Sequence, residues 1–453
     1  MPRLGRSAVV VVSVLALLAL GACSRSSSKS SSSNTSTSAG GGSSAAAGDF
    51  GSLKGVCGPG NAKGSTAQGV SDSTIRVGTM ADPGAQAQPG LDQELFDTAD
   101  AFVGWCNAAG GIDGRKLQLD KWDSKLTEVA ARMIQACQSD FMLVGNGEAL
   151  DATGVDQRTK CKLAEMPAYV VSAQAGTAPM SLQAIPTSNH QSDLGGAYRA
   201  LKAFDAAVTQ HYGLISSQFQ SIKDSGDRAR QAAKQLGYTE TYYDEAPLLV
   251  DNWRPYAQNV QTKGVQVLSM EGAPGTLANL AKALSDLGTH PKYFIGSANY
   301  YDQTLIQNAG SALTGDWVYV NDYIVPFEMA SQNPPTKQYI DILAQYANGA
   351  KPKSLGVNAM SAWLLWAKGV KECGSNLTSD CVLSKASAVT DWDGGGLTAP
   401  IKPGNANSPT EGCFVLLKAS PTGFTIDSQI TKPNTGIFNC GSDNQINLTG
   451  FPK

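Results

Sequence analysis

Residues 74–80 read Thr-Ile-Arg-Val-Gly-Thr-Met, and residues 107–117 read Asn-Ala-Ala-Gly-Gly-Ile-Asp-Gly-Arg-Lys-Leu. The first stretch is a short, partly β-branched run, which predicts a strand. A helix is predicted from about residue 91 to residue 109. The glycines at 110–111 end it, because glycine allows the chain to reverse tightly from a helix into a strand. The alternation over residues 116–122 predicts the next strand, so this stretch is one β-α-β unit.

The same unit recurs along the rest of the chain. Further strands are predicted at residues 141–144, 168–171, 212–215, 239–243, 265–270, 292–295 and 317–320. Helices are predicted at residues 126–139, 151–163, 224–236, 253–263, 277–287, 335–346 and 358–373. Short strands that alternate with helices indicate an α/β class with parallel sheets. Two successive runs of the unit indicate two doubly wound lobes.

The turn at residues 107–117 resembles the start of the leucine/isoleucine/valine-type substrate-binding proteins of ABC importers. Ile75-Arg76-Val77-Gly78 before it and Asp251-Asn252-Trp253 far downstream fit the same pattern. The resemblance covers residues 72–325 well and 358–368 less closely, while the cysteine-rich tail departs from it. It implies a type I periplasmic-binding-protein fold, in which two lobes joined by three crossovers bind a ligand in the cleft between them. By similarity, lobe 1 is expected at 72–187 plus 325–395, and lobe 2 at 188–324 plus 396–453.

The N-terminus is typical of a lipoprotein signal. Arg3 and Arg6 precede a 13-residue apolar stretch, residues 8–20, that is too short to span a bilayer as a helix. Leu20-Gly21-Ala22-Cys23 then resembles a bacterial lipobox, which implies a signal peptide at 1–22 and lipidation of Cys23. Residues 23–71 are expected to form the lipidated Cys23 and a flexible Ser/Gly-rich tether, since a Ser/Gly-rich composition cannot bury enough surface to fold. A plain signal peptide with a chance cysteine is the alternative.

Eight cysteines remain after Cys23, an even number that indicates disulfides in an exported chain. The sequence contains no C-x-x-C pair, which is the spacing that would favour a zinc site. We therefore expect no metal. Eight cysteines allow 105 connectivities. Pairing of sequence neighbours is the favoured arrangement: Cys57–Cys106, Cys137–Cys161, Cys373–Cys381 and Cys413–Cys440.

Composition excludes several classes of function. The chain has 453 residues, with 35 Lys+Arg against 38 Asp+Glu and a formal net charge of −3. That balance lacks the basic footprint that nucleic acid or a polybasic membrane contact requires. The phosphate-binding, metalloprotease and nucleophile-elbow motifs of enzymes are missing, and three histidines leave little general-base chemistry. We therefore expect neither an enzyme nor a cofactor.

Candidate ligand-binding residues follow from the loops after the predicted strands, because ligands bind beyond the carboxyl ends of strands in open α/β sheets. The polar or aromatic candidates are Asn146, Glu148, Ser172, Gln174, Phe219, Glu271, Asn299 and Tyr300. In the family, hydroxyls and backbone N–H groups after strands 3 and 4 hold the ligand carboxylate, and a lobe 2 acid holds the ammonium. Here Asn146 and Glu148 replace the hydroxyls of strand 3, and the loop at Asn299 has no acid. Either Glu148 or Glu271 takes that part, or the ligand is not an α-amino acid, which we favour. Trp363 and Trp366 are expected in the core.

Together these features predict an extracytoplasmic lipoprotein on the outer face of the bacterial cell membrane. We expect a monomer that captures a small polar solute, such as an amino acid, an amide, a urea-like compound or a small carboxylate. The resemblance implies an ABC permease as partner, and a membrane contact through the lipid alone. A sensor of the same fold without a transport role is the alternative.

Overall fold

The computed structural model describes residues 48–186, 192–405 and 412–448. The predicted signal peptide, Cys23 and the predicted tether up to residue 47 lie outside the described residues. The prediction that the tether extends to residue 71 is wrong, because Phe50 is fully buried and Cys57 is bonded to Cys106 of the first helix. The strands are β1 (Thr74–Ala81), β2 (Lys116–Asp123), β3 (Met142–Val144), β4 (Ala164–Met166), β5 (Ser192–Leu194), β6 (Tyr212–Ser217), β7 (Glu240–Ala246), β8 (Val267–Met270), β9 (Tyr293–Gly296), β10 (Val318–Asp322), β11 (Gly412–Ser420), β12 (Gly423–Ile426), β13 (Asn439–Gly441) and β14 (Gln445–Asn447). The helices are α1 (Gln93–Ala109), α2 (Val129–Ser139), α3 (Val155–Cys161), α4 (Ala173–Thr177), α5 (Gly196–Phe204), α6 (Gln220–Gln235), α7 (Arg254–Thr262), α8 (Pro274–Asp286), α9 (Gln303–Ala309), α10 (Pro334–Tyr346), α11 (Ser354–Cys373), α12 (Ser379–Ser387) and α13 (Ser428–Thr431).

The first sheet consists of four parallel strands in the order β2-β1-β3-β4. Ile75 of β1 is fully buried and pairs in register with Leu117 of β2. Helices α1 and α11 pack on this sheet, and Phe102 stacks on Trp363 with their ring centroids 5.1 Å apart. Trp363 and Trp366 are both fully buried, so their predicted place in the core is confirmed. We call this sheet and the helices packed on it lobe 1.

The second sheet carries the parallel strands β7-β6-β8-β9-β10. Strand β11 pairs antiparallel with β10, and β12 and β13 pair antiparallel with β11. We call this sheet and its helices lobe 2. Two sheets with parallel β-α units confirm the predicted α/β class.

The chain divides its elements between the lobes in an interleaved order. It builds the first sheet through β4, supplies β6 to β10 to the second sheet, and then returns to pack α10 and α11 against α1. Strand β11 lies in the second sheet again. The predicted lobe boundary at 187–188 falls in residues 187–191, outside the described residues, and the exact bounds stay a prediction.

The strand predicted at residues 168–171 is wrong. The fourth strand of lobe 1 is β4, which pairs with β3 over Ala164 to Met166. Pro167 follows directly and has no N–H group to donate to the ladder, so the strand ends there. Residues 168–171 instead run as an irregular segment beside the space between the lobes.

The glycine turn after α1 has the conformation that its sequence predicts. Gly110 and Gly111 have φ angles of 122° and 87°. A Cβ atom at Gly111 would lie 2.1 Å from the carbonyl oxygen of Arg115. Both the backbone angle and the close approach therefore require glycine.

Four disulfides join the described cysteines in pairs of sequence neighbours: Cys57–Cys106, Cys137–Cys161, Cys373–Cys381 and Cys413–Cys440. The prediction that these residues form disulfides is confirmed. The first bond ties the segment before β1 to α1, and Phe50 of that segment is fully buried against Trp105. Within the described ranges, none of the helices is both long enough and apolar enough to cross a membrane.

Candidate ligand-binding site

A cavity of about 430 Å³ lies between the two lobes. From lobe 1 it is lined by residues 87–92, by the irregular segment 169–171 and by the start of α11. From lobe 2 it is lined by one face of α6 and by the loops after β6 to β9. The strands of both sheets therefore point their carboxyl ends at one space, as open α/β sheets require. Its volume suits a small organic solute.

Two of the eight candidate residues line this cavity. Glu271 follows β8, and burial together with the nearby Asp193 raises the pKa of its carboxyl to about 7. Asn299 follows β9, and its Nδ2 donates to the carbonyl of Gly272 at 2.6 Å. Asn299 therefore links two loops of the lobe 2 wall, and Glu271 presents its carboxyl to the cavity.

Four candidates lie outside the cavity wall and have other contacts. Ser172 caps α4, since its Oγ accepts the N–H of Ala175 at 3.1 Å. Gln174 is exposed and donates to Asp156. The Tyr300 hydroxyl is buried and donates to the Met270 carbonyl at 2.9 Å. Phe219, at the N-cap of α6, leaves 37% of its surface exposed.

The last two candidates, Asn146 and Glu148, are buried in lobe 1 away from the cavity wall. Asn146 donates to Glu165 at 3.4 Å. Glu148 is only 4% exposed, and burial, together with neighbouring carboxyls, raises its pKa well above the usual range. The turn after β3 points these side chains inward, so neither is in a position to contact a solute in this cavity.

Carboxylates of the chain itself occupy backbone N–H groups near the strand ends of lobe 1. Asp82, directly after β1, is fully buried. It accepts the N–H groups of Leu126 and Ala149 at 2.8 Å each, and the hydroxyl of Ser124. The loops after β2 and β3 therefore use these donors internally.

The carboxylate of Asp151 also accepts backbone N–H groups of lobe 1, at the end of the irregular segment. It accepts the N–H of Val171 at 2.7 Å and that of Ser172 at 3.1 Å. Burial raises the pKa of Asp151 to about 6, although these N–H groups oppose the shift. The backbone after β4 is thus already bound to an anionic group of the protein.

The lobe 1 side of the cavity is acidic. The Tyr169 hydroxyl donates to Asp92 at 2.7 Å, and burial and then the neighbouring Glu94 raise the pKa of Asp92 well above its usual range. The Lys353 Nζ lies 3.3 Å from Glu94 and 3.0 Å from Asp302 of lobe 2. This lysine therefore joins the two lobes by an ion pair across the cavity.

A second cation, Arg228 of α6, lines the lobe 2 side. Its Nη2 donates to the carbonyl of Val171 in lobe 1 at 3.0 Å. Arg228 is 5% exposed, so its charge is held away from bulk water.

A sequence family model described as periplasmic binding protein matches residues 74–423. This chain belongs to the periplasmic binding protein family. The family consists of solute-binding proteins rather than enzymes, and its members work outside the cytoplasm. The resemblance drawn from the turn at residues 107–117 is thereby confirmed.

Solved structures share the fold of this periplasmic binding protein at low sequence identity. A fatty acid ABC transporter substrate-binding protein from Thermomonospora curvata has a TM-score of 0.68 at 15% identity, covering 80% of this chain and 94% of its own. A leucine-binding protein from Thermotoga maritima has a TM-score of 0.64 at 12% identity, covering 78% and 97%. An ABC transporter solute-binding protein from R. palustris in complex with 4-hydroxybenzoate has a TM-score of 0.62 at 14% identity, covering 78% and 95%. These likenesses confirm the type I fold with two lobes and a cleft. No curated protein sequence matches this chain.

Sequence reasoning missed the charged residues of the cleft, Asp92, Glu94, Arg228, Asp302 and Lys353. The sequence of helix α6 gives one weak indication of the site. Ile222, Ser225 and Arg228 are three residues apart, a spacing that places them on one face of the helix. A charged residue on such a helix ordinarily indicates a solvated face. Only the approach of lobe 1 makes this face a cavity wall.

Proposed function

We propose that this periplasmic binding protein captures a small polar solute in the cleft and delivers it to an ABC permease. The observation that carries the proposal is the cavity between the lobes, into which both lobes place buried charged side chains. Polar groups at fixed positions in a water-poor cavity give orientation and specificity to a bound solute. Candidate solutes are amides, urea-like compounds, small carboxylates and amino acids.

We further propose that the protein is a monomeric lipoprotein, anchored through Cys23 to the outer face of the cell membrane. The lipobox-like residues 20–23 and the Ser/Gly-rich tether support this. We propose that lobe 1 consists of residues 72–187 and 325–395, and lobe 2 of residues 188–324 and 396–453. The passages of the chain between these ranges would form the hinge. The interleaved sheets agree with such bounds, because three passages of the chain would then join the lobes.

Thermal unfolding of residues 48–453 against a panel of solutes tests the capture step. The panel holds leucine, valine, amides, ureas, sugars and small carboxylates. A solute at 100 times its Kd should add about 2.7 kcal/mol and raise the Tm by a few degrees. No shift with any solute contradicts the proposal. Tight binding of leucine or valine would contradict the preference against α-amino acids.

Uptake by cells tests the delivery step. Cells that lack this protein should accumulate less of the radiolabelled solute found in the thermal panel, and the wild-type gene should restore uptake. Binding with unchanged uptake would instead support a sensor.

A further inference from the structure

Lobe 1 offers little to an anionic group of a solute. Asp82 and Asp151 already accept the backbone N–H groups at the ends of its strands. Asp92 and Glu94 add two further carboxyl groups to its side of the cavity. Lys353 does not offset them, since its ammonium group already contacts Glu94 and Asp302.

Arg228 on the lobe 2 side stands in a different situation. It lines the cavity and is 5% exposed, and its hydrogen bond to the Val171 carbonyl uses only one of its five N–H donors. Among the ion pairs formed within the described ranges, none includes Arg228. Burial has the larger effect on the pKa of the Glu271 carboxyl, and the charge of Arg228 is near enough to lower that pKa, but the carboxyl does not contact the guanidinium as an ion pair. A buried guanidinium without a carboxylate in contact is costly, so an anionic solute group that pairs with it is strongly favoured.

The floor next to Arg228 holds two further polar groups. Ser216, at the end of β6, is 1% exposed, and its Oγ has no hydrogen-bond partner within the described structure. The second group is Glu271, whose carboxyl accepts a hydrogen bond from the side chain of Ser225. Gly226 of α6 makes room for both, because a Cβ atom there would lie 2.4 Å from Ser216 Oγ and 3.3 Å from Glu271 Cγ. A buried hydroxyl without a partner, in a cavity wall, is a group that a ligand can satisfy.

We propose that the solute is a small carboxylate with a neighbouring hydrogen-bond donor, and that lobe 2 holds its polar head. The carboxylate pairs with the guanidinium of Arg228, while Glu271 and Ser216 take the donor group. The loops of lobe 1 then cover the remainder of the solute, because Asp82 and Asp151 already accept the backbone N–H groups that could otherwise hold its carboxylate there. This inference rests on the proposed function and narrows the class of its solute.

Matched acid and amide pairs test the proposal on the protein of residues 48–453. The pairs are L-lactate with L-lactamide and mandelate with mandelamide, each with a hydroxyl next to the acid or amide group, and calorimetry gives the Kd of each. We expect at least one acid to bind the wild type roughly tenfold or more tightly than its amide, because a charge-assisted bond to Arg228 exists only for the acid. In Arg228→Gln this ratio should fall to near one.

The ratio separates recognition from lobe closure. Loss of the bond from Arg228 to Val171 weakens closure for acid and amide alike, so it leaves their ratio unchanged. Arg228→Lys keeps the charge and should retain part of the preference. Arg230→Gln is the matched control, since Arg230 lies on the same helix but pairs with the exposed Glu240 at the surface. The acid-to-amide affinity ratio of this variant should equal that of the wild type.

Each result decides the question. An unchanged acid-to-amide ratio in Arg228→Gln overturns the proposal, and so does tighter binding of the amides. If the wider panel yields only neutral solutes, this inference fails while the proposed function stands. If no solute in either panel binds, the proposed function fails and this inference fails with it.

Discussion

Asp322, at the end of β10, is a buried carboxyl outside the cavity wall. Its Oδ1 accepts the N–H groups of Tyr323 at 2.7 Å and Ile324 at 3.2 Å, while its Oδ2 has no hydrogen-bond partner within the described residues. Burial raises its pKa to about 7. The folded state therefore holds the proton more tightly than the unfolded state, in which this pKa is about 4. Its stabilising contribution is complete below pH 4 and is lost as the pH rises through 7.

Asp322→Asn should therefore stabilise the protein more at pH 8 than at pH 5. The amide keeps the Oδ1 acceptor and removes a buried charge that forms no ion pair within the described residues. We expect the gain in the free energy of unfolding by urea to be larger at pH 8 than at pH 5 by roughly 2–3 kcal/mol. Asp341→Asn on the exposed face of α10 is the control and should change little at either pH. An equal effect of Asp322→Asn at both pH values would contradict this explanation.

Lys353 is held between two carboxylates of opposite lobes. Burial opposes its charge, but Glu94 and Asp302 more than offset that cost, so the pKa of Lys353 is raised above its ordinary value. The side chain keeps its positive charge throughout the neutral range. Loss of this charge would leave two largely buried carboxylates without a cation.

Lys353→Met should lower the free energy of unfolding by about 2–4 kcal/mol, because removing one member of a buried ion pair leaves its partners uncompensated. Lys353→Arg keeps the positive charge, so its free energy of unfolding should fall by less than that of Lys353→Met. Urea unfolding followed by tryptophan fluorescence measures both. A loss for Lys353→Met no larger than that of the exposed-pair variant Lys337→Met would show that the ion pair contributes little.

At the scale of single elements, Ser172 shows how a loop residue at a strand end can serve structure. It caps α4 through its side chain, and its backbone N–H is bound to Asp151. Both contacts point away from the cavity. The irregular segment before it owes its path to these bonds and to Pro167.

Ser172→Ala should cost about 1 kcal/mol of stability through loss of the cap. The affinity for a solute identified in the panel should stay within about twofold of the wild type, since the lost contact is confined to the cap of α4 and Ser172 does not line the cavity. Thermal unfolding and calorimetry give the two values. A tenfold loss of affinity would return Ser172 to the ligand-binding residues.

Two of the disulfides attach peripheral elements to lobe 1 over very different lengths of chain. Cys57–Cys106 closes a sequence separation of 49 residues and fixes the segment before β1 to α1. Cys373–Cys381 closes a separation of only 8 residues between α11 and α12. The longer loop removes more entropy from the unfolded chain.

Replacing both cysteines by serine should therefore cost about 4 kcal/mol for Cys57 with Cys106, and about 2.5 kcal/mol for Cys373 with Cys381, by the chain-entropy relation. Unfolding by guanidinium chloride compares the two variants under the same conditions. A larger loss for the short loop would mean that native-state packing, rather than loop entropy, dominates.

For the whole molecule, the feature that matters is a set of contacts that join the two lobes across the cleft. Arg228 bonds to Val171, Lys353 pairs with Asp302, and Leu248 of lobe 2 packs on the apolar cluster of Ala85, Leu126 and Leu150 in lobe 1. A solute that binds between the lobes shifts the protein toward this closed arrangement only to the extent that it binds the closed form more tightly than the open form.

Leu248→Ser should shift the protein without solute toward an open form, because it removes the apolar contact between the lobes. We expect a larger radius of gyration in small-angle X-ray scattering, and its return toward the wild-type value when a solute from the panel is added. Leu249→Ser is the matched control, since Leu249 is 64% exposed and its replacement should leave the scattering unchanged. If the radius of gyration of Leu248→Ser is unchanged, the closed form is stabilised mainly by the Lys353–Asp302 ion pair and by the hydrogen bond from Arg228 to Val171.

The sequence by itself determined the class of fold and the family. The glycines at 110–111 adopt the positive φ angles that the tight turn from α1 into β2 requires, and the apolar neighbours of Trp363 on its helix place it in the core. Cysteines close in sequence formed the disulfides. Such features are local, so a short stretch of chain carries all the information.

Only the tertiary structure decided the cleft. Pro167 ends the fourth strand several residues before its predicted position, so residues 169–171 line the cavity and Ser172 caps α4. The turn after β3 directed Asn146 and Glu148 inward. The roles of Arg228 and Lys353 depend on elements of the other lobe, more than fifty residues away in the chain. A site between two lobes is made by their approach, and no local pattern in either lobe encodes which side chains will meet there.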